Sequence, residues 1–116
     1  MKIGEFFSNE FETKDKHQNL SLQTRYYRAD LKKAINEYKY VMSKMGFELL
    51  EELEEYHELH YYKPHVEVIT SVYSESYFVQ GFDFKVNTSY LIPRGRGIKE
   101  IKKMYEEIEK VLERVK

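Results

Sequence analysis

His57, His60 and His65 stand close together among Glu54, Glu55 and Glu58, and imidazole with carboxylate is a donor set that can bind a divalent cation. The run His57-Glu58-Leu59-His60 spaces its histidines one residue short of the His-Glu-x-x-His pattern, which sets two imidazoles on one helical face. Only a helix over these residues would bring His57 and His60 to the same side; a strand points them to opposite sides. They are weak metal candidates on that account, and no cofactor is expected.

A second chemistry lies in Pro93-Arg94-Gly95-Arg96-Gly97, which leads into a helical pattern. Two guanidinium groups beside the unpaired N–H groups of a helix start suit a phosphate or carboxylate, and Lys99, Lys102 and Lys103 follow within two turns. The plain alternative is that the glycines supply turn conformations and the arginines solubility. The Lys-Ser/Thr ending of a nucleotide-binding P-loop is missing.

The third is a carboxylate stripe. Glu48, Glu51, Glu52, Glu54, Glu55 and Glu58 fall within eleven residues, a negative surface suited to a basic partner. Glu51, Glu52, Glu54 and Glu55, with the nearby Tyr61 and Tyr62, are the candidate protein-contact residues. Such runs also serve simply as solvated faces, or guard an exposed strand against aggregation.

Other chemistries find no residues to carry them. The chain has no cysteine, which excludes disulfides, thiolate nucleophiles and Cys-ligated metals. It has no Gly-x-Ser-x-Gly element, no Gly-rich dinucleotide fingerprint and no convincing carboxylate pair, so a non-enzymatic protein is expected. Met1 to Phe7 lacks a signal-peptide apolar core, and no run of about 18 apolar residues occurs anywhere. A cytoplasmic, non-membrane protein is the expectation.

The elements that must position these groups follow from periodicity. A chain of 116 residues suits one domain. Residues 1–19 read as a leader or short hairpin, and residues 20–116 as a single α+β domain. Leu20, Leu22, Thr24 and Tyr26 alternate with polar neighbours, predicting a strand over 20–28. Asp30 then caps a helix over 31–45, which Gly46 ends. Phe47 to Tyr62 fits either period; its glutamates favour a helix, but a long bent strand follows better from the Gly46 exit.

Past Pro64, Val66 to Tyr73 reads as an inner strand, with a turn at Ser74-Glu75-Ser76. Phe78, Phe82, Phe84, Val86, Thr88, Tyr90 and Ile92 line one side of the next strand, with the three phenylalanines assigned to the core. From Ile98 to Val115 apolar residues recur at helical spacing for about five turns. The predicted fold is an antiparallel sheet of about four strands in β-α-β-β-β-α order, with both helices packed on one face.

Net charge is −1, yet residues 1–45 carry +3, residues 46–92 carry −7 and residues 93–116 carry +3. Eleven Tyr and seven Phe make aromatic residues abundant, and some of Tyr26, Tyr27, Tyr61, Tyr62, Tyr73 and Tyr77 must face outward if strands alternate. The expected function is a protein-interaction or regulatory module acting through the open sheet face and the acidic segment. The expected partner is another protein or a second copy, in a homo-oligomer such as a dimer. The alternative is a nucleic-acid or phosphate binder using the Arg94/Arg96 loop and closing helix, or stacking bases on outward Tyr near Arg25, Arg28 and Lys85.

Overall fold

A computed structural model describes residues 10–15, 22–89 and 95–116. The described residues form an α+β structure with two α-helices and a seven-stranded antiparallel sheet. The strands are β1 (Glu10–Glu12), β2 (Arg25–Arg28), β3 (Glu48–Leu53), β4 (Glu58–Lys63), β5 (Val66–Ser76), β6 (Val79–Thr88) and β7 (Glu113–Arg114). The helices are α1 (Leu31–Lys44) and α2 (Arg96–Ile108). In space the strands run β3-β4-β5-β6-β2-β7, and β1 pairs with the far half of β6.

Helix α1 obeys its local signals. The Asp30 carboxylate accepts from the Lys33 N–H at 2.8 Å. At the other end Gly46, at φ +87°, gives its N–H to Ser43, while Phe47 gives its own to Met42. That pair of bonds satisfies the last carbonyls and needs the left-handed conformation that glycine adopts freely.

Tyr38 of α1 and Tyr105 of α2 both pack against Phe84, so the two helices cover the same face of the sheet. Phe82, Phe84 and Val86 of β6 alternate with Val66, Val68 and Val72 of β5 and with Leu59 and Tyr61 of β4 to fill that core. The Tyr38 hydroxyl, fully buried, is satisfied by Thr70 Oγ1 at 2.5 Å. Burial holds the Tyr38 phenol far above the ordinary tyrosine range, so it stays a neutral hydroxyl.

The sheet departs from the predicted four strands and β-α-β-β-β-α order in three places. Residues 47–62 form neither one bent strand nor a helix. They fold back as the β3–β4 hairpin, through a single 3₁₀ turn at Glu54–Tyr56 and His57 at φ +50°. Glu10–Glu12, in the stretch read as a leader or first hairpin, is a strand of the same sheet, and Phe11 joins the core. Residues 1–9 and 16–19 of that stretch lie outside the described residues, as do Leu20 and Ser21 of the predicted first strand, which begins at Arg25.

The third departure is at the C-terminus, where the predicted five-turn helix stops at Ile108. Tyr26 donates to Lys116 O at 2.8 Å and Val115 donates to Tyr26 O at 2.7 Å, so the last residues close the edge of β2. Glu109 holds the turning point, accepting from Arg25 at 2.8 Å and from the Tyr27 hydroxyl at 2.7 Å. A helix continued past Ile108 would leave those β2 peptide groups without protein partners.

Between β5 and β6 the turn is Tyr77-Phe78, three residues beyond the start of the predicted Ser74–Ser76 turn. The Gln80 amide, wholly buried, donates to the carbonyls of Ala29, Ser76 and Tyr77 and accepts from the Ser74 hydroxyl. That bracket satisfies the turn from inside and lets two aromatic residues occupy its tip. Phe78, expected in the core, is 59% exposed, and Tyr77 is 75% exposed.

Candidate functional site: the acidic hairpin and the open sheet face

Cross-strand partners in an antiparallel sheet share a face. The face turned away from the helices therefore carries Glu10, Glu12, Glu48, Glu51, Glu58, Glu67, Asp83 and Glu113, against Arg28, Lys85 and Lys116, whose ammonium lies over the Tyr26 ring. Lys85 is itself paired with Glu10 at 3.6 Å. Arg25, which the alternative reading set beside outward tyrosines, points to the helix side, where its guanidinium lies 4.3 Å from the Tyr105 ring centre and pairs with Glu109. A face on which carboxylates outnumber cations disfavours the approach of a phosphodiester backbone.

At the centre of this face Tyr26 and Tyr73 meet edge to face, their hydroxyls 2.9 Å apart, and the Tyr26 hydroxyl donates to Asp15 at 2.7 Å. Gly81 makes room for them: a Cβ there would lie 2.8 Å from Tyr26 Cε1 and 3.1 Å from Tyr73 Cζ. Tyr26 is thereby buried although it faces away from the core. Burial, reinforced by Asp15 and Tyr73, raises its pKa well above the ordinary tyrosine value.

Asp83 sits where the partner of β6 changes from β2 to β1. Its Oδ1 accepts from Thr24 at 2.5 Å and from Thr13 at 2.9 Å, while Thr13 Oγ1 accepts the Phe84 N–H. One carboxylate thus ties three strand segments. Burial raises the Asp83 pKa above the usual carboxylate value; the two threonine hydroxyls oppose the shift, and the negative charges of Asp15 and Glu12 add to it. A raised folded-state pKa contributes stability at pH below the ordinary carboxylate value, and that contribution is lost as pH rises through the raised value. Asp83→Asn keeps an acceptor oxygen without the charge. Its stability relative to the parent is expected to improve from about pH 4 upward, read as urea midpoints across that range. A difference that stays constant with pH would refute this role.

The β3–β4 hairpin carries the carboxylate stripe, and the fold divides it. Glu52 turns to the helix side and pairs with Lys39 at 2.8 Å. Glu58 pairs with His60 at 2.8 Å, and Glu51 approaches the same ring at 3.9 Å. Glu48, Glu54 and Glu55 are exposed, with no cation at ion-pair distance among the described residues. Between them Leu49 and Leu50 are 42% and 60% exposed, and Tyr56 is 70% exposed.

Of the two tyrosines expected to make contacts, Tyr62 is exposed but Tyr61 is not. Tyr61 is buried edge to face against Tyr38, and burial, then the Glu52 charge, pushes its phenol up to about 12. The strand register decides this, because Tyr61 lies opposite Val68 on the core side.

His57 holds the hairpin turn, its N–H on Glu54 O and its carbonyl accepting from Val72, while His60 lies between Glu51 and Glu58. Among the described residues no group of three or more His, Asp or Glu is arranged to hold a metal ion. Arg94 lies outside the described residues. Gly95 begins α2 at φ +68°, Arg96 is half-buried, and Lys99, Lys102 and Lys103 line the outer side of the helix. No described helix is long and apolar enough to cross a membrane. No family model, curated protein or solved structure matches the chain.

Proposed function

We propose that this chain is a non-enzymatic interaction module that recognises a basic segment of a protein partner through the acidic β3–β4 hairpin. The observation that carries the reading is the combination, on one projecting hairpin, of unpaired carboxylates at Glu48, Glu54 and Glu55 with the exposed side chains of Leu49, Leu50 and Tyr56. Apolar and aromatic groups supply contact area, and the surrounding carboxylates select a cationic partner and speed its encounter. The polar groups at the centre of the open face are engaged with one another, as a strand junction requires.

The test is titration with a labelled synthetic peptide in which Arg alternates with Val, using the parent chain and the variant Glu48→Gln/Glu51→Gln/Glu54→Gln/Glu55→Gln. The variant is expected to bind about tenfold more weakly, and the parent to weaken as salt rises. Equal affinity of parent and variant would end the proposal.

A phosphate-binding reading draws on the exposed row Lys99, Lys102 and Lys103. It makes the opposite claim, since removing hairpin carboxylates would then leave binding of single-stranded RNA unchanged or tighter.

A further inference from the structure

Among the described residues, the outer edge of β3 is the longest unpaired edge of the sheet. Among the described residues β3, six residues long, pairs with β4 alone, and the other strands with one unpaired side are β1, of three residues, and β7, of two. Unpaired strand edges present a row of N–H and C=O groups to any chain that can lie alongside. The edge is interrupted once: the register with β4 shifts between Leu49 and Glu51, leaving Leu50 as the extra residue of a bulge.

We propose that this edge is a strand-addition site, taking the basic segment as an extended strand hydrogen-bonded to β3, with one Arg side chain seated in the hollow beside the 3₁₀ turn. The proposal rests on the function proposed above and specifies how the segment binds. Charge selects the occupant. A second copy of β3 would bring Glu48, Glu51 and Glu52 of each chain within about a strand spacing of the other set, which like charge opposes. The bulge further breaks the flat edge that indiscriminate pairing needs. A strand bearing Lys or Arg reverses the electrostatic term, and its main chain supplies the missing ladder.

The hollow gives the segment a side-chain address. It is an open depression of about 360 Å³, lined by Glu52, Leu53, Glu54, Glu55 and Tyr56. Leu53 and the Tyr56 ring offer an apolar wall to the stem of an arginine. Glu54 and Glu55 offer carboxylates to its planar fork, and a guanidinium also stacks on tyrosine.

The experiment compares the Arg/Val peptide with two versions N-methylated on alternate residues, one set removing the N–H groups along one edge of the peptide strand and the other set those along the opposite edge. Charge and side chains are identical in all three. Strand addition predicts that one methylated form binds at least about tenfold more weakly while the other matches the parent peptide. It also predicts that the parent peptide slows hydrogen exchange of the β3 amides, and that Tyr56→Ala weakens binding severalfold. Equal binding of all three peptides without slowed β3 exchange would overturn the strand-addition mode and leave the acidic-hairpin reading standing. Failure of the parent peptide to bind would overturn both.

Discussion

Phe84→Ala is expected to cost about 3–5 kcal/mol of folding stability, the usual loss when a large aromatic side chain is cut from a packed core. Phe84 is the residue on which both helices converge: its ring lies 5.9 Å from Tyr38, 5.3 Å from Tyr105 and 6.4 Å from Phe82, centre to centre. Truncation leaves a void under two elements at once, and neither helix can close it without pulling Tyr38 from Thr70 or Tyr105 from the Gln23 carbonyl. Phe78→Ser is the control. By sequence pattern it belongs to the same side of the same strand, but it sits at the exposed turn, so its change is expected within about 0.5 kcal/mol. Urea unfolding of the two variants checks the contrast, and similar losses from both would contradict the placement of β6.

Gly97→Ala is expected to destabilise by about 1–3 kcal/mol, as overpacking does. At an open helical position the same change is favourable by about 0.5–1 kcal/mol, because alanine restricts the unfolded chain. Here the sign reverses, since a Cβ on Gly97 would clash with Phe11 Cδ2 and lie 2.8 Å from its Cε2. Phe11 belongs to β1 and is buried, so relief requires its ring to turn against packed neighbours or β1 to shift. Phe11→Leu in the Gly97→Ala background should recover part of the loss. The coupling between the two sites, read from a double-mutant cycle of unfolding free energies, is the diagnostic quantity. A more stable single variant would show that Phe11 does not sit there.

The interaction proposed for the hairpin depends on how the fold distributes its carboxylates. Six glutamates in eleven residues could be read as one stripe, yet the β3 register sends Glu52 inward to Lys39 and sets Glu58 against His60. Those left facing solvent are the ones whose neutralisation should weaken partner binding without disturbing the fold. Alternation predicted two sides for the tyrosines as well, but the side that is buried is settled by opposite residues. Tyr61 meets Val68 and Tyr38 of α1, while Tyr26 is covered on the far face because its partner across the ladder is glycine.

What the sequence determined by itself are the features whose causes lie within a few residues. Asp30 and Gly46 bound α1, the period of Ile98, Ile101, Met104, Tyr105 and Ile108 makes α2, and alternation marks β5 and β6. The absence of thiol chemistry and the segregation of charge are equally direct. Only the tertiary structure decided the fold-back at Glu54–Tyr56, the capture of residues 113–116 by β2, the entry of β1 into the sheet and the exposure of Phe78. Each involves a partner that no local pattern names: β2 peptide groups met by residues 115 and 116, the Val72 N–H received by the His57 carbonyl, β6 beside β1, and the Ala29 carbonyl that ties the Gln80 amide and its turn to the rest of the fold. Periodicity records which side chains can share a face, but the face they share is buried or exposed according to what the rest of the chain lays against it.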